Sequence, residues 1–191
     1  MGLNRISIVA LVLCSGPVWA DFDAASYPPY ERCALCHGLF GQSHSAKFPH
    51  LAGQKPAYIE AQLEAFLSGS RSNDGGQMAA IVTELKPEEF PVVVDWFSTQ
   101  EPPSPGAPSV DTVGQGLVAD LGCFGCHADT SDSAPYLTAQ HAGYLEKQMT
   151  DFISGARSGG DTAAVHSDLL KPLTSDLGAI ASYLSSMERR P

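Results

Sequence analysis

Two short motifs in this 191-residue chain bring together side chains that can do redox chemistry: Cys33-Ala34-Leu35-Cys36-His37 and Cys123-Phe124-Gly125-Cys126-His127. Two thiols three residues apart on a helical turn are spaced to form thioethers to the two vinyl groups of one haem. The adjacent histidine then reaches the iron from one side. A thioredoxin-like redox pair, a zinc site and a disulfide use similar spellings. Covalent haem is favoured because the motif occurs twice, because it consumes every cysteine after residue 20, and because no strand-helix-strand pattern surrounds it. Two covalently bound haem c groups are therefore expected, held by Cys33, Cys36, Cys123 and Cys126, with His37 and His127 on the irons.

The ligand on the far side of each iron decides what that haem does. In the first half, after residue 20, the one methionine is Met78, in a polar stretch that follows Arg71-Ser72-Asn73-Asp74-Gly75-Gly76 and is read as a loop. A thioether favours ferrous iron and raises the potential. The second half has no methionine at the matching place. Counting forward from the shared arginine, Met78 maps near Ala164; counting back from Leu85 and Leu173, it maps onto His166. His166 is the expected ligand there, giving a bis-histidine haem of lower potential, with Lys171, His141 or an open iron as alternatives. Met149 matches Leu63, and Met187 sits near the chain end, so both are read as structural. The carbonyls of Pro49 and Pro135 are placed to accept the Nδ1–H of the proximal histidines, against the plainer reading of two turn prolines. His44 and His50 are read as solvent-facing or near a haem propionate.

The elements that position these residues are written twice. Tyr58 to Ser72 aligns with Tyr144 to Ser158 at an offset of 86, with eight of fifteen positions identical, which marks a tandem duplication. Tyr58, Ile59, Leu63, Phe66 and Leu67 share one helical face, Pro56 stands near the start, and Gly69 ends the run. Phe66 and Phe152 are expected in the cores. A last helix closes each half, with Phe90, Val93, Val94 and Phe97 in one and Leu177, Ile180, Tyr183 and Leu184 in the other. Pro91 is tolerable only in a first turn, and Thr174 is a good N-cap. No alternating strand pattern occurs, so the fold class is all-α. Four prolines between Pro102 and Pro108 form a semi-rigid extended linker. The expected organisation is residues 1–20 signal peptide, 21–100 first domain, 101–112 linker and 113–191 second domain. At about eighty residues each half is small for a self-sufficient core, and a haem would complete it.

The signal peptide is read from a short n-region with Arg5, a largely apolar Ile6–Cys14 stretch and small residues before a cut after Ala20. Nine residues reach only ~14 Å as a helix, too short to span a bilayer. Acylation at Cys14 is disfavoured by the bulky Leu13 before it. Export to the periplasm is expected. The chain carries 11 basic and 21 acidic side chains, a formal −10; without Arg5, residues 21–191 carry −11. Nucleic acid is excluded as a partner, since the longest basic run is Arg189-Arg190. Redox proteins with basic docking patches are expected, with at most transient contact with a membrane-bound oxidase or reductase.

The two Cys-x-x-Cys-His motifs, Pro49 with Leu51-Ala52-Gly53-Gln54, the run from Tyr58 through Gln62, Phe66, Gly69, Arg71, Asn73-Asp74 and Met78, and the closing Trp96-Phe97 resemble tandem class I cytochromes c of the dihaem c-four type. The resemblance spans essentially all of residues 21–191. It implies two cytochrome c domains with haems near their interface, acting as a periplasmic electron shuttle towards a terminal oxidase or from a dehydrogenase. The second half departs from the pattern in lacking a distal methionine. That departure motivates an alternative, a dihaem oxidoreductase of peroxidase or thiosulfate dehydrogenase type, or its electron-transfer subunit, with a reactive second haem. Against it, no cysteine is left over for thiolate ligation and the halves carry no pocket-building insertions. A haem-based gas sensor would need an output module for which the chain has no segment.

Overall fold

Both copies of the repeated segment are helices in the computed structural model, which describes residues 26–108, 112–129, 131–159 and 161–189. The expected signal peptide lies outside the described residues. The first half contains α1 (Glu31–His37), α2 (Pro56–Leu67), α3 (Gln77–Val82) and α4 (Phe90–Ser98). The second contains α5 (Thr112–Asp120), α6 (Phe124–His127), α7 (Ala142–Ser154), α8 (Asp161–Leu170) and α9 (Leu177–Ser185). No strand occurs among the described residues, and the fold is all-α.

Local sequence explains most of the boundaries. Pro56 occupies the first turn of α2, where its missing N–H costs nothing, and Pro91 does the same in α4. Helix α7 ends on Gly155 in the left-handed region at φ 76°, which a residue without Cβ adopts freely. Two expectations need correction. Thr174 does not cap α9: its hydroxyl donates back to the Lys171 carbonyl, and the helix starts after Asp176. Met78 does not lie in a loop. Met78 is the second residue of α3, and His166 sits within α8, in stretches whose apolar periodicity is too short to announce a helix.

Packing repeats with the sequence. In the first half α2 lies against α3 and α4, burying Phe97, Val82 and Val93. In the second, α7 lies against α8 and α9, and α5 crosses α9 over Ile180, Ala181 and Leu184. That crossing requires Gly114, where a Cβ would stand 2.2 Å from the Ala179 carbonyl oxygen. The linker segment has neither helix nor strand through residue 108 and is fastened as it passes: the Gly106 N–H donates to the Ser185 carbonyl at 2.8 Å. No helix of the described residues is long and apolar enough to cross a membrane.

Candidate functional site

Helix α1 presents Cys33, Cys36 and His37 within one turn and then stops at Gly38, whose φ of 76° turns the chain away. The loop returns through Gly41, whose carbonyl receives the N–H groups of Leu51 and Ala52. This return brings Pro49 back to α1, and the His37 Nδ1–H donates to the Pro49 carbonyl at 2.9 Å. Trp96 of α4 braces the same region, stacking on Tyr30 at 3.9 Å and donating its Nε1–H to the Leu39 carbonyl. In the second half the short α6 follows Cys123, and the His127 Nδ1–H donates to the Pro135 carbonyl at 2.8 Å.

Electrostatics suit neutral ligands. Burial pushes the Cys33 thiol up to about 11, Arg32 opposing only in part, and burial raises the Cys123 thiol as well. Among the described residues no three His, Cys, Asp or Glu side chains converge as a metal cage would need. The four cysteines also form no disulfide. Burial lowers the basicity of both His37 and His127, and the proline carbonyls pull the other way without reversing it. Each ring is thus neutral with its proton fixed on Nδ1, leaving Nε2 for an iron.

Opposite His127 stands His166, with ring centroids 5.9 Å apart and planes at 66°. Two imidazoles on opposite sides of one metal, each bonded through nitrogen at about 2 Å, place their centroids about 6 Å apart. The His166 Nδ1–H donates to the Thr162 carbonyl at 2.7 Å, so this ring too has its second nitrogen available. Phe152 stacks on His166 at 4.7 Å, and the Arg157 guanidinium lies 4.6 Å from the Phe152 ring centre. Phe152 is therefore only half-buried, a backing plate for His166 and not the plain core residue its repeat partner Phe66 is. The alternatives stand elsewhere: His141 stacks on His50 at 3.9 Å and donates from Nε2 to the Ser43 carbonyl, while Lys171 is exposed on a 3₁₀ turn. In the first half Met78 packs against the core, and Asp74 accepts both its N–H and that of Gly76, fixing the start of α3.

Sequence reasoning missed the seam between the halves. Arg71 donates to Gln62, Asn73, Tyr144 and Gln148; Arg157 donates to Gln148, Tyr58 and Gln62. No described carboxylate pairs with either guanidinium, although Arg71 is buried. Arg189 is buried as well, spans the Ala52 and Thr138 carbonyls, and keeps Nη2 without a partner. Buried cations bonded only to neutral acceptors call for anions, which haem propionates would supply. The signal was present in the repeat, where Tyr58, Gln62 and Arg71 match Tyr144, Gln148 and Arg157. His50, expected to face solvent or a propionate, is half-buried against His141; burial, then His141 and Arg189, lower it to about 4, so its Nδ1 accepts the Ser43 N–H.

No protein-family model matches the chain. Cytochrome c4 of Pseudomonas aeruginosa is 32% identical over 198 aligned positions, covering 95% of this chain and 97% of that protein. The thiosulfate dehydrogenase electron acceptor of Thiomonas intermedia is 27% identical, covering 88% of this chain and 84% of that one. Among solved structures, Acidithiobacillus ferrooxidans cytochrome c4 superposes with a TM-score of 0.71 at 27% identity, covering 82% of this chain and 99% of its own.

Proposed function

Since the chain belongs to the cytochrome c4 family and is a dihaem electron carrier with two covalently bound haem c groups, we propose that it passes single electrons between partner redox proteins in the periplasm. Residues 21–100 and 113–191 each hold one haem, joined by the 101–112 linker. When bound, each haem supplies a one-electron ferric/ferrous couple. Cys33 and Cys36, and Cys123 and Cys126, anchor the groups. His37 and His127, with rings oriented by Pro49 and Pro135, would ligate the irons together with Met78 and His166. The observation that carries this assignment is the facing pair His127 and His166 at 5.9 Å, each with Nδ1 already bonded to a carbonyl.

Unlike ligands make the two centres inequivalent, because methionine raises and a second histidine lowers the potential. With Met78 and His166 as ligands, each haem would serve electron transfer and not substrate binding. Arg71, Arg157 and Arg189 hold positive charge at the seam for the propionates. The acidic surface favours partners with basic docking patches.

The test is a spectrally resolved redox titration of the haem-loaded protein with Met78→Ala and His166→Ala. Met78→Ala is expected to abolish the long-wavelength sulfur-to-iron band, and His166→Ala to alter only the other haem. A single substitution that perturbs both haems equally overturns the assignment. A second reading, supported by the Thiomonas intermedia relative's name, makes the donor a thiosulfate dehydrogenase; reduction by that enzyme with thiosulfate, at a rate exceeding that with thiosulfate alone, tests it.

A further inference from the structure

Each half lends the other a buried glutamine. Gln54 and Gln140 hold matching places in the repeat, each five residues after the proline that orients a proximal histidine, and each is 4% exposed. Gln140 crosses to His50, accepting its N–H at 2.8 Å and donating to its carbonyl at 3.0 Å. Gln54 crosses to Tyr136 in the mirror sense, accepting its N–H at 2.9 Å and donating to its carbonyl at 3.0 Å.

The N–H of His50 and the carbonyl of Pro49 belong to one peptide group, as do the N–H of Tyr136 and the carbonyl of Pro135. A continuous relay therefore runs from the His37 Nδ1–H through the Pro49–His50 peptide to Gln140 Oε1. A second runs from the His127 Nδ1–H through the Pro135–Tyr136 peptide to Gln54 Oε1. A bond accepted from a peptide N–H polarises that peptide and makes its carbonyl a stronger acceptor. A stronger acceptor on Nδ1–H makes the imidazole a better electron donor to its metal.

We propose that Gln140 and Gln54 are positioning residues that set the donor strength of the opposite half's proximal histidine, Gln140 acting on His37 and Gln54 on His127. This rests on the assignment of those histidines as iron ligands. The neighbours Lys55 and His141 close the same clamps, Lys55 onto the Ala128 and Ser131 carbonyls and His141 onto that of Ser43. A glutamine that only stapled the halves would move both haems together or neither. A relay moves one haem, and it is the haem of the other half.

The experiment uses the haem-loaded full chain with Gln140→Leu, Gln54→Leu and Gln140→Glu. Losing Oε1 weakens the Pro49 carbonyl as an acceptor, so ferric iron is less stabilised. For Gln140→Leu the ferric-to-ferrous ratio of the first haem at fixed ambient potential is expected to fall by up to about twofold, since losing one bond weakens the next by about 10–30% of a hydrogen bond's worth. Twofold is about 18 mV for a one-electron couple. The second haem stays put; Gln54→Leu does the reverse, and Gln140→Glu, whose carboxylate is a stronger and charged acceptor, moves the first haem in the opposite sense, raising its ferric-to-ferrous ratio. Should the leucine variants not fold, Gln140→Met and Gln54→Met make the same comparison. Histidine-selective ¹⁵N NMR of the reduced protein supplies the independent readout. Ring protons of His37 shifted far upfield by a haem verify its ligation, and their absence overturns the ligand assignment beneath the proposal. With ligation verified, a His37 Nδ1–H resonance that Gln140→Leu leaves unmoved, a shift confined to the same half's haem, equal shifts in both, or a Gln140→Glu shift in the same direction as that of leucine overturns the relay itself.

Discussion

A methyl group added at Gly114 tests how tightly the second half is built around its haem motif. The new Cβ would lie 2.2 Å from the Ala179 carbonyl oxygen, 2.7 Å from its carbon and 3.0 Å from Tyr183 Cβ. An ordinary carbon-oxygen contact is about 3.3 Å, so α5 and α9 must part by about 1 Å. The obstacle is main chain, which no rotamer change relieves. Overpacking of this kind costs about 1–3 kcal/mol, here at the upper end, while alanine regains about 1 kcal/mol of helix propensity. The net expectation for Gly114→Ala is a loss of about 2 kcal/mol. Gly116, exposed on the same helix with nothing within 4 Å of its would-be Cβ, feels only the propensity, and Gly116→Ala should gain about 0.5–1 kcal/mol. Urea unfolding of the haem-loaded protein measures both, with a shift of midpoint at constant slope as the signature of stability alone. Because the Cys123 N–H is bonded to Val118 of α5, Gly114→Ala should also disturb the spectrum of the second haem and spare the first. Equal signs for the two variants, or an unchanged Gly114→Ala protein, would refute the packing argument.

The Arg32–Glu89 pair, 3.0 Å apart, ties α1 to the turn before α4. The Arg32 hydrogen bond, then the Lys86 N–H, hold the Glu89 carboxyl below its ordinary value; the stabilisation is thus present above the unfolded glutamate pKa, about 4.3, and disappears as pH falls through the lower folded value. Midpoints for the parent and Glu89→Gln should converge as pH falls from 5 to 3, and a constant gap would count against the pairing. Electron transfer to a basic redox partner should slow as ionic strength rises, since the surface charges that steer docking are screened; stopped-flow rates independent of salt would remove electrostatic steering from the account.

Much of the fold was legible because it rests on local patterns. The apolar face from Tyr58 to Leu67, the prolines at first turns and the duplicated glycines need no knowledge of the rest of the chain. The proline carbonyls behind His37 and His127 were also foreseeable, because each motif and its proline lie within one loop's reach. Helix α3 was not, since six residues give too little periodicity to register and its start is fixed by Asp74, outside the helix. The crossing bonds made by Gln54, Gln140, Arg71 and Arg157 and the His50–His141 stack join residues 73 to 99 positions apart. Nothing in a local pattern says which polar side chain will meet which backbone group across a seam. Alignment of the copies marks such residues as a set without naming their partners.

The reciprocal glutamine clamps have the form of an isologous contact, in which each patch is used twice about a two-fold axis. Covalent joining changes what such a contact permits. In a homodimer every substitution is made in both subunits at once, so the two sides of the axis stay identical. In one chain each side mutates alone, and the tether supplies an effective concentration that keeps an imperfectly matched pair associated. Across the same clamp Lys55 now lies over Tyr136 where His141 lies over His50. The seam thus retains the geometry of a symmetric dimer while the two centres it joins have been free to become chemically different.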